Sequence, residues 1–110
     1  LIVGAGGATT RHDAMVLGEA DPDYLFFGSL DGDSGAAADP GALALASWWA
    51  PLFEIPAIVM AGGSVASVAE AAATGAEFIA LGRAVWEHPA GPAAAMREAM
   101  RLMAGTQAPA

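Results

Sequence analysis

Two glycine-rich turns carry the residue types in this chain best suited to chemistry: Met60-Ala61-Gly62-Gly63-Ser64-Val65 and Ala80-Leu81-Gly82-Arg83-Ala84-Val85. Glycine has no Cβ, so backbone N–H groups beside it can approach an anion closely, and amides at the start of a helix favour negative charge. Gly62 and Gly82 lie one helix-and-strand unit apart, so adjacent parallel strands would bring both turns to one rim. The pair therefore points to a phosphorylated small molecule held by Gly62, Gly63, Ser64, Gly82 and Arg83. The Arg83 guanidinium has the geometry to clamp a phosphate bidentately. It could equally pair with a carboxylate on the rim, and the glycines could simply make tight turns.

Other titratable residues carry less. His12 stands at the start of a helix between Arg11 and Asp13. Its imidazole titrates near neutrality and could act as an acid or base, although capping or a surface position explains it as well. Asp31 and Asp33 lie in a polar loop, Asp-Gly-Asp-Ser-Gly, that lacks the spacing and closing glutamate of a calcium loop. A solvated loop is the simpler account, yet either aspartate could face a substrate or magnesium. His12, Asp31 and Asp33 are thus the catalytic candidates, and no catalytic residue is assigned. His88, ahead of Pro89, is read as structural, Trp48 and Trp49 as packing residues, and Trp86 as undecided.

The elements that must position these residues follow a repeat. Four short apolar runs, Leu1–Val3, Tyr24–Phe27, Ala57–Met60 and Phe78–Leu81, alternate with helix-like stretches. Each run is continuously apolar, as expected of parallel strands buried on both faces, and each soon meets a glycine. Thr9 or Thr10 could cap a helix over His12–Ala20. A second helix is expected from about Gly41 to Phe53, and a third from Ser64 to Thr74, with Gly75 ending it. A last helix opens after Pro92, with Met96, Ala99, Met100 and Met103 along one stripe. Strand and helix repeated four times predict right-handed βαβ units and a parallel sheet. The fold class is α/β: the repeat fits strands five to eight of a TIM barrel, a half-barrel fragment forming one domain over residues 1–110, with an open flavodoxin-like sheet as the alternative. In a TIM barrel, the loops after strands seven and eight often hold a phosphate, and those are the two glycine turns.

Composition narrows the classes of function. Four arginines, no lysine and twelve carboxylates give a net charge of −8. No basic patch is available for nucleic acid or for anionic lipid. Without cysteine, disulfides, thiolate metal sites and cysteine nucleophiles are excluded. No apolar run approaches the roughly 20 residues of a membrane span. No leader pattern is seen, the chain opens inside a strand-like run, and it is read as a cytoplasmic piece of something longer.

Three segments resemble one family: Pro22-Asp23-Tyr24-Leu25-Phe26-Phe27-Gly28; Ile55-Pro56-Ala57-Ile58-Val59-Met60-Ala61-Gly62-Gly63; and Gly75-Ala76-Glu77-Phe78-Ile79-Ala80-Leu81-Gly82-Arg83-Ala84-Val85. In order and spacing they are similar to the thiamine phosphate synthase family and its thiazole-tautomerase relatives. The resemblance implies a TIM barrel of thiamine biosynthesis, a transferase joining a pyrimidine diphosphate to a thiazole phosphate, or a tautomerase of the thiazole. It also implies that the thiazole phosphate rests on Gly62, Gly63, Gly82 and Arg83. No cofactor is evident in this segment; Mg2+ would come through the missing N-terminal half, which is the implied partner alongside a homo-oligomer. Two departures stand out. The family's proline-threonine-x-threonine-lysine loop is replaced by Leu30-Asp31-Gly32-Asp33-Ser34-Gly35-Ala36-Ala37, which offers carboxylates where pyrophosphate would leave. The family's histidine after strand five has no counterpart, since Thr9 falls there. The chain is therefore read as a divergent paralogue, with a non-catalytic phosphate-binding module or another phosphate or FMN barrel as competing readings.

Overall fold

The computed structural model describes residues 1–29 and 35–106. Four parallel strands form one sheet: β1 (Gly4–Gly6), β2 (Tyr24–Phe27), β3 (Ala57–Met60) and β4 (Phe78–Ala80), in the spatial order β1-β2-β3-β4. They are linked by helices α1 (Arg11–Glu19), α2 (Pro40–Leu52) and α3 (Val68–Ala73), the last preceded by a 3-10 turn over Val65–Ser67. After β4 come a one-turn helix, α4 (Arg83–Trp86), and the long α5 (Pro92–Thr106). Strictly sequential order, with the helices sharing one core, is the arrangement of consecutive units in a (β/α)₈ barrel. A flavodoxin-like sheet reverses its strand order at a switch point, and no reversal occurs here.

Caps set the helix starts. Thr10 accepts from the Asp13 N–H at 3.1 Å, and Asp39 from the Ala42 N–H at 3.0 Å, each satisfying an amide that has no intrahelical partner. Gly75 takes φ +85° just beyond α3. That left-handed conformation suits glycine and ends the helix. Two carboxylates also pin strand starts: Glu77 accepts from the Ala57 N–H at 3.0 Å and Asp23 from the Val3 N–H at 2.7 Å.

The core lies between the sheet and the helices. Leu25, Phe27, Ala57 and Val59 point from the strands into it and meet Ala14, Ala42, Ala46, Trp49, Val68, Ala71 and Ala99. Alanines at these helix positions let the helix axes sit close to the sheet. Trp49 is buried and donates its indole N–H to the Ile55 carbonyl at 2.8 Å. Its ring stacks on Phe53 at 3.9 Å, while half-buried Trp48 packs edge-on. Both tryptophans are packing residues, as read from the sequence.

Two expectations need correction. The first strand lies at Gly4–Gly6 rather than Leu1–Val3, because β2 begins at Tyr24 and pairs with Gly4. Among the described residues Leu1–Val3 therefore has no strand beside it; it is exposed and tied through Val3 to Asp23. The strands are also buried on one face, not two. Tyr24, Phe26, Ile58 and Met60 alternate with the core residues and remain half exposed on the face away from the helices. Among the described residues nothing covers that face as the helices cover the other.

Candidate anion site at the strand ends

β3 and β4 pair in parallel with Met60 opposite Ala80, so their following turns emerge at the same end of the sheet. The two turns touch. A Cβ on Gly82 would lie 3.2 Å from Met60 Cε, and one on Gly63 would lie 3.4 Å from Arg83 Cζ. Arg83 thus reaches back from the β4 turn to the β3 turn. Its Nε donates to Glu87 Oε2 at 3.2 Å, one turn along the chain, with both side chains about half exposed. Exposed pairs of this kind contribute at most about 1 kcal/mol. The guanidinium therefore has a carboxylate on the rim, as one of the two expectations had it, and lies beside the β3 glycine turn.

The amides of the β3 turn already have acceptors. Gly62 N–H donates to Ser67 Oγ at 2.8 Å, and that hydroxyl donates in turn to the Ser64 carbonyl at 2.6 Å. Gly63 N–H donates to the Gly35 carbonyl at 2.9 Å, and Ser64 N–H to the Ala36 carbonyl at 3.1 Å. The Gly62 amide, expected to face an anion, is here taken by the buried Ser67 hydroxyl. Ser67 escaped the sequence reading, although a hydroxyl three residues after the capping Ser64 is the spacing that could have shown it. Ser64 itself accepts from the Ala66 N–H at 3.3 Å.

Beside the turns lies a cavity of about 670 Å³ at the strand ends, walled by Thr9, Gly28, Ser29, Gly35–Ala38, Asp39, Met60 and Ala61. A pocket of that size is within the range that holds small molecules. Its described polar side chains are Thr9, Ser29 and Asp39; Thr9, which falls where the family would place a histidine, does line it. His12 does not. It is exposed on α1 and borders a separate shallow hollow with Gly6 and Gly7. Asp31 and Asp33 lie outside the described residues. His88 is structural: Nε2 sits 3.2 Å from Glu98 Oε2, and Nδ1 accepts from the Ala90 N–H at 3.0 Å, which holds the link into α5. Trp86 is exposed and borders an apolar hollow with Ile79, Leu81 and Met96. Among the described residues no cluster of histidine, aspartate or glutamate could hold a metal, and no helix is long and apolar enough to cross a membrane.

The model of the thiamine monophosphate synthase family matches residues 1–85, which include both turns and four strands. The chain belongs to that family. The thiamine-phosphate synthase of Rhodospirillum centenum is 38% identical over 108 residues, covering 94% of this chain and 51% of that protein. The thiamine-phosphate synthase of Hyphomonas neptunium is 34% identical over 97 residues, covering 87% and 44% respectively. The chain thus spans about half the length of the curated relatives it matches. Among solved structures, the Amycolatopsis orientalis BexX/CysO complex superposes with a TM-score of 0.61 at 27% identity, covering 96% of this chain and 44% of that one. Membership of the thiamine monophosphate synthase family agrees with the sequential parallel sheet.

Proposed function

We propose that the chain supplies the phosphate-holding half of a thiamine-phosphate-synthase-like barrel acting on a thiazole or pyrimidine phosphate. The phosphate lies at the rim of β3 and β4, against the Gly63 and Ser64 amides and the Gly82–Arg83 turn, with Gly62 giving the close approach. The ring lies in the adjoining cavity. What supports this most directly is the contact between the two glycine turns, with Arg83 bridging them. An N-terminal half of the same barrel covers the open sheet face, completes the barrel and brings any Mg2+ ligands. The assembled protein works in the cytoplasm and could pair with a second copy of itself.

Turnover is the separable part of the proposal. A synthase must stabilise departing pyrophosphate, and the described cavity residues include no cation for that purpose. A paralogue that binds the phosphate ligand without catalysis is therefore the second reading. Titration of the full-length protein with thiazole phosphate, thiamine phosphate and FMN, followed by a pyrophosphate-release assay, separates them. Thiazole phosphate binding with release supports the synthase, and binding without release supports the paralogue. FMN binding alone would reject both.

A further inference from the structure

The segment Gly35–Ala37, ahead of α2, lies across the anion turn. Gly35 and Ala36 carbonyls accept from the Gly63 and Ser64 amides at 2.9 and 3.1 Å. A Cβ built on Gly62 would fall on the Ala36 carbonyl oxygen and the Ala37 carbonyl group, so the strap is packed as closely as glycine permits. Because the Gly62 amide belongs to Ser67, these two are the β3-turn amides through which a phosphate could be held. A peptide carbonyl and a phosphate oxygen satisfy the same N–H and cannot share the space in front of it.

The strap is held lightly. Gly35, Ala36 and Ala37 are exposed, and among the described residues after them firm anchoring begins at buried Ala38 and the helix cap Asp39. We propose that Gly35–Ala37 is a built-in competitor, occupying the amides of Gly63 and Ser64 in the unliganded protein and leaving when a phosphate takes them. The inference rests on the phosphate reading above. It adds a coupling: Gly35, Ala36 and Ala37 also wall the cavity, so capture of the phosphate reshapes the space for the ring. Affinity is then reduced by the fraction of molecules in which the strap is closed.

The double variant Ala36→Gly/Ala37→Gly tests this in the full-length protein, because it gives the open strap more backbone freedom and leaves both carbonyls in place. Calorimetry with inorganic phosphate and with thiazole phosphate is paired with amide exchange at Gly63 and Ser64. The expected result is faster exchange at both amides in the unliganded variant, and binding about three- to tenfold tighter. Phosphate binding of equal strength in variant and parent overturns the strap while leaving the anion site standing. Persistence of the strap-bound exchange pattern in the saturated protein overturns both the strap and the Gly63–Ser64 anion site, since the anion would then lie elsewhere. If neither protein binds either phosphate, the anion reading falls and the strap with it.

Discussion

At the scale of single residues, the anion turn turns on what a side chain at Gly62 would meet. Its Cβ direction points into the Ala36–Ala37 backbone. Gly62→Val would push the strap away and fill the vacated space with its own methyl groups, where an anion would enter. Phosphate-ligand affinity should fall more than tenfold while far-ultraviolet circular dichroism stays unchanged; retained affinity would remove the turn from consideration. Arg83 makes a different prediction. Charged hydrogen bonds contribute about 1.5–3 kcal/mol, which corresponds to roughly ten- to hundredfold in affinity. Arg83→Ala should weaken thiazole phosphate binding by that factor, measured by titration calorimetry. Arg83→Lys should restore little, because an ammonium cannot reproduce a planar two-pronged contact. A small effect would take Arg83 out of the phosphate site and leave its pair with Glu87 as a surface contact.

Among the elements, the α1–α2 contact shows how one glycine decides a packing distance. Gly18 sits in α1 where a Cβ would lie 2.8 Å from Trp49 Cη2, and Trp49 is fixed by its bond to Ile55. Removing glycine from a helix interior ordinarily stabilises by about 0.5–1 kcal/mol. Overpacking a full core costs about 1–3 kcal/mol. The second term wins, so Gly18→Ala should lower stability in urea denaturation by about 1 kcal/mol; a gain would mean that the indole can yield. This scale is also where the sequence was most readable. The runs Tyr24–Phe27 and Ala57–Met60 coincide with β2 and β3, because continuous apolar residues between turn signals leave few other solutions. Ser64, Gly75 and Pro92 mark their helix ends for the same local reasons. β1 was displaced because its limits depend on where its partner begins, a non-local fact. The expected helix after Ser64 opens as a 3-10 turn since Ser67 must reach back to the Gly62 amide. Neither that bond nor the strap leaves a periodic trace in composition. The meeting of the two glycine turns was legible, while the acceptors already occupying the β3-turn amides were not.

For the whole molecule, the decisive feature is a sheet finished on one side only. Leu25, Phe27, Ala57 and Val59 are sealed by helices, while Tyr24, Phe26, Ile58 and Met60 line an apolar face that remains half exposed. β1 and β4 each pair with a strand on one side, and Phe78 and Trp86 are exposed near the β4 edge. Unpaired strand edges beside apolar surface are templates for association, and a closed barrel is the arrangement that removes them. The chain spans about half the length of its curated relatives, so the remaining strands of such a barrel are the natural cover. Residues 1–110 expressed alone should consequently form dimers or larger species in sedimentation velocity. Co-expression with the N-terminal half proposed above should abolish that self-association and yield a one-to-one complex. Net charge of −8 opposes close approach of two copies, so association should strengthen as salt screens the repulsion. A monomer that persists at high salt, with no gain in stability on adding the other half, would mean that the open face is tolerated in water and that the fold is complete as four units.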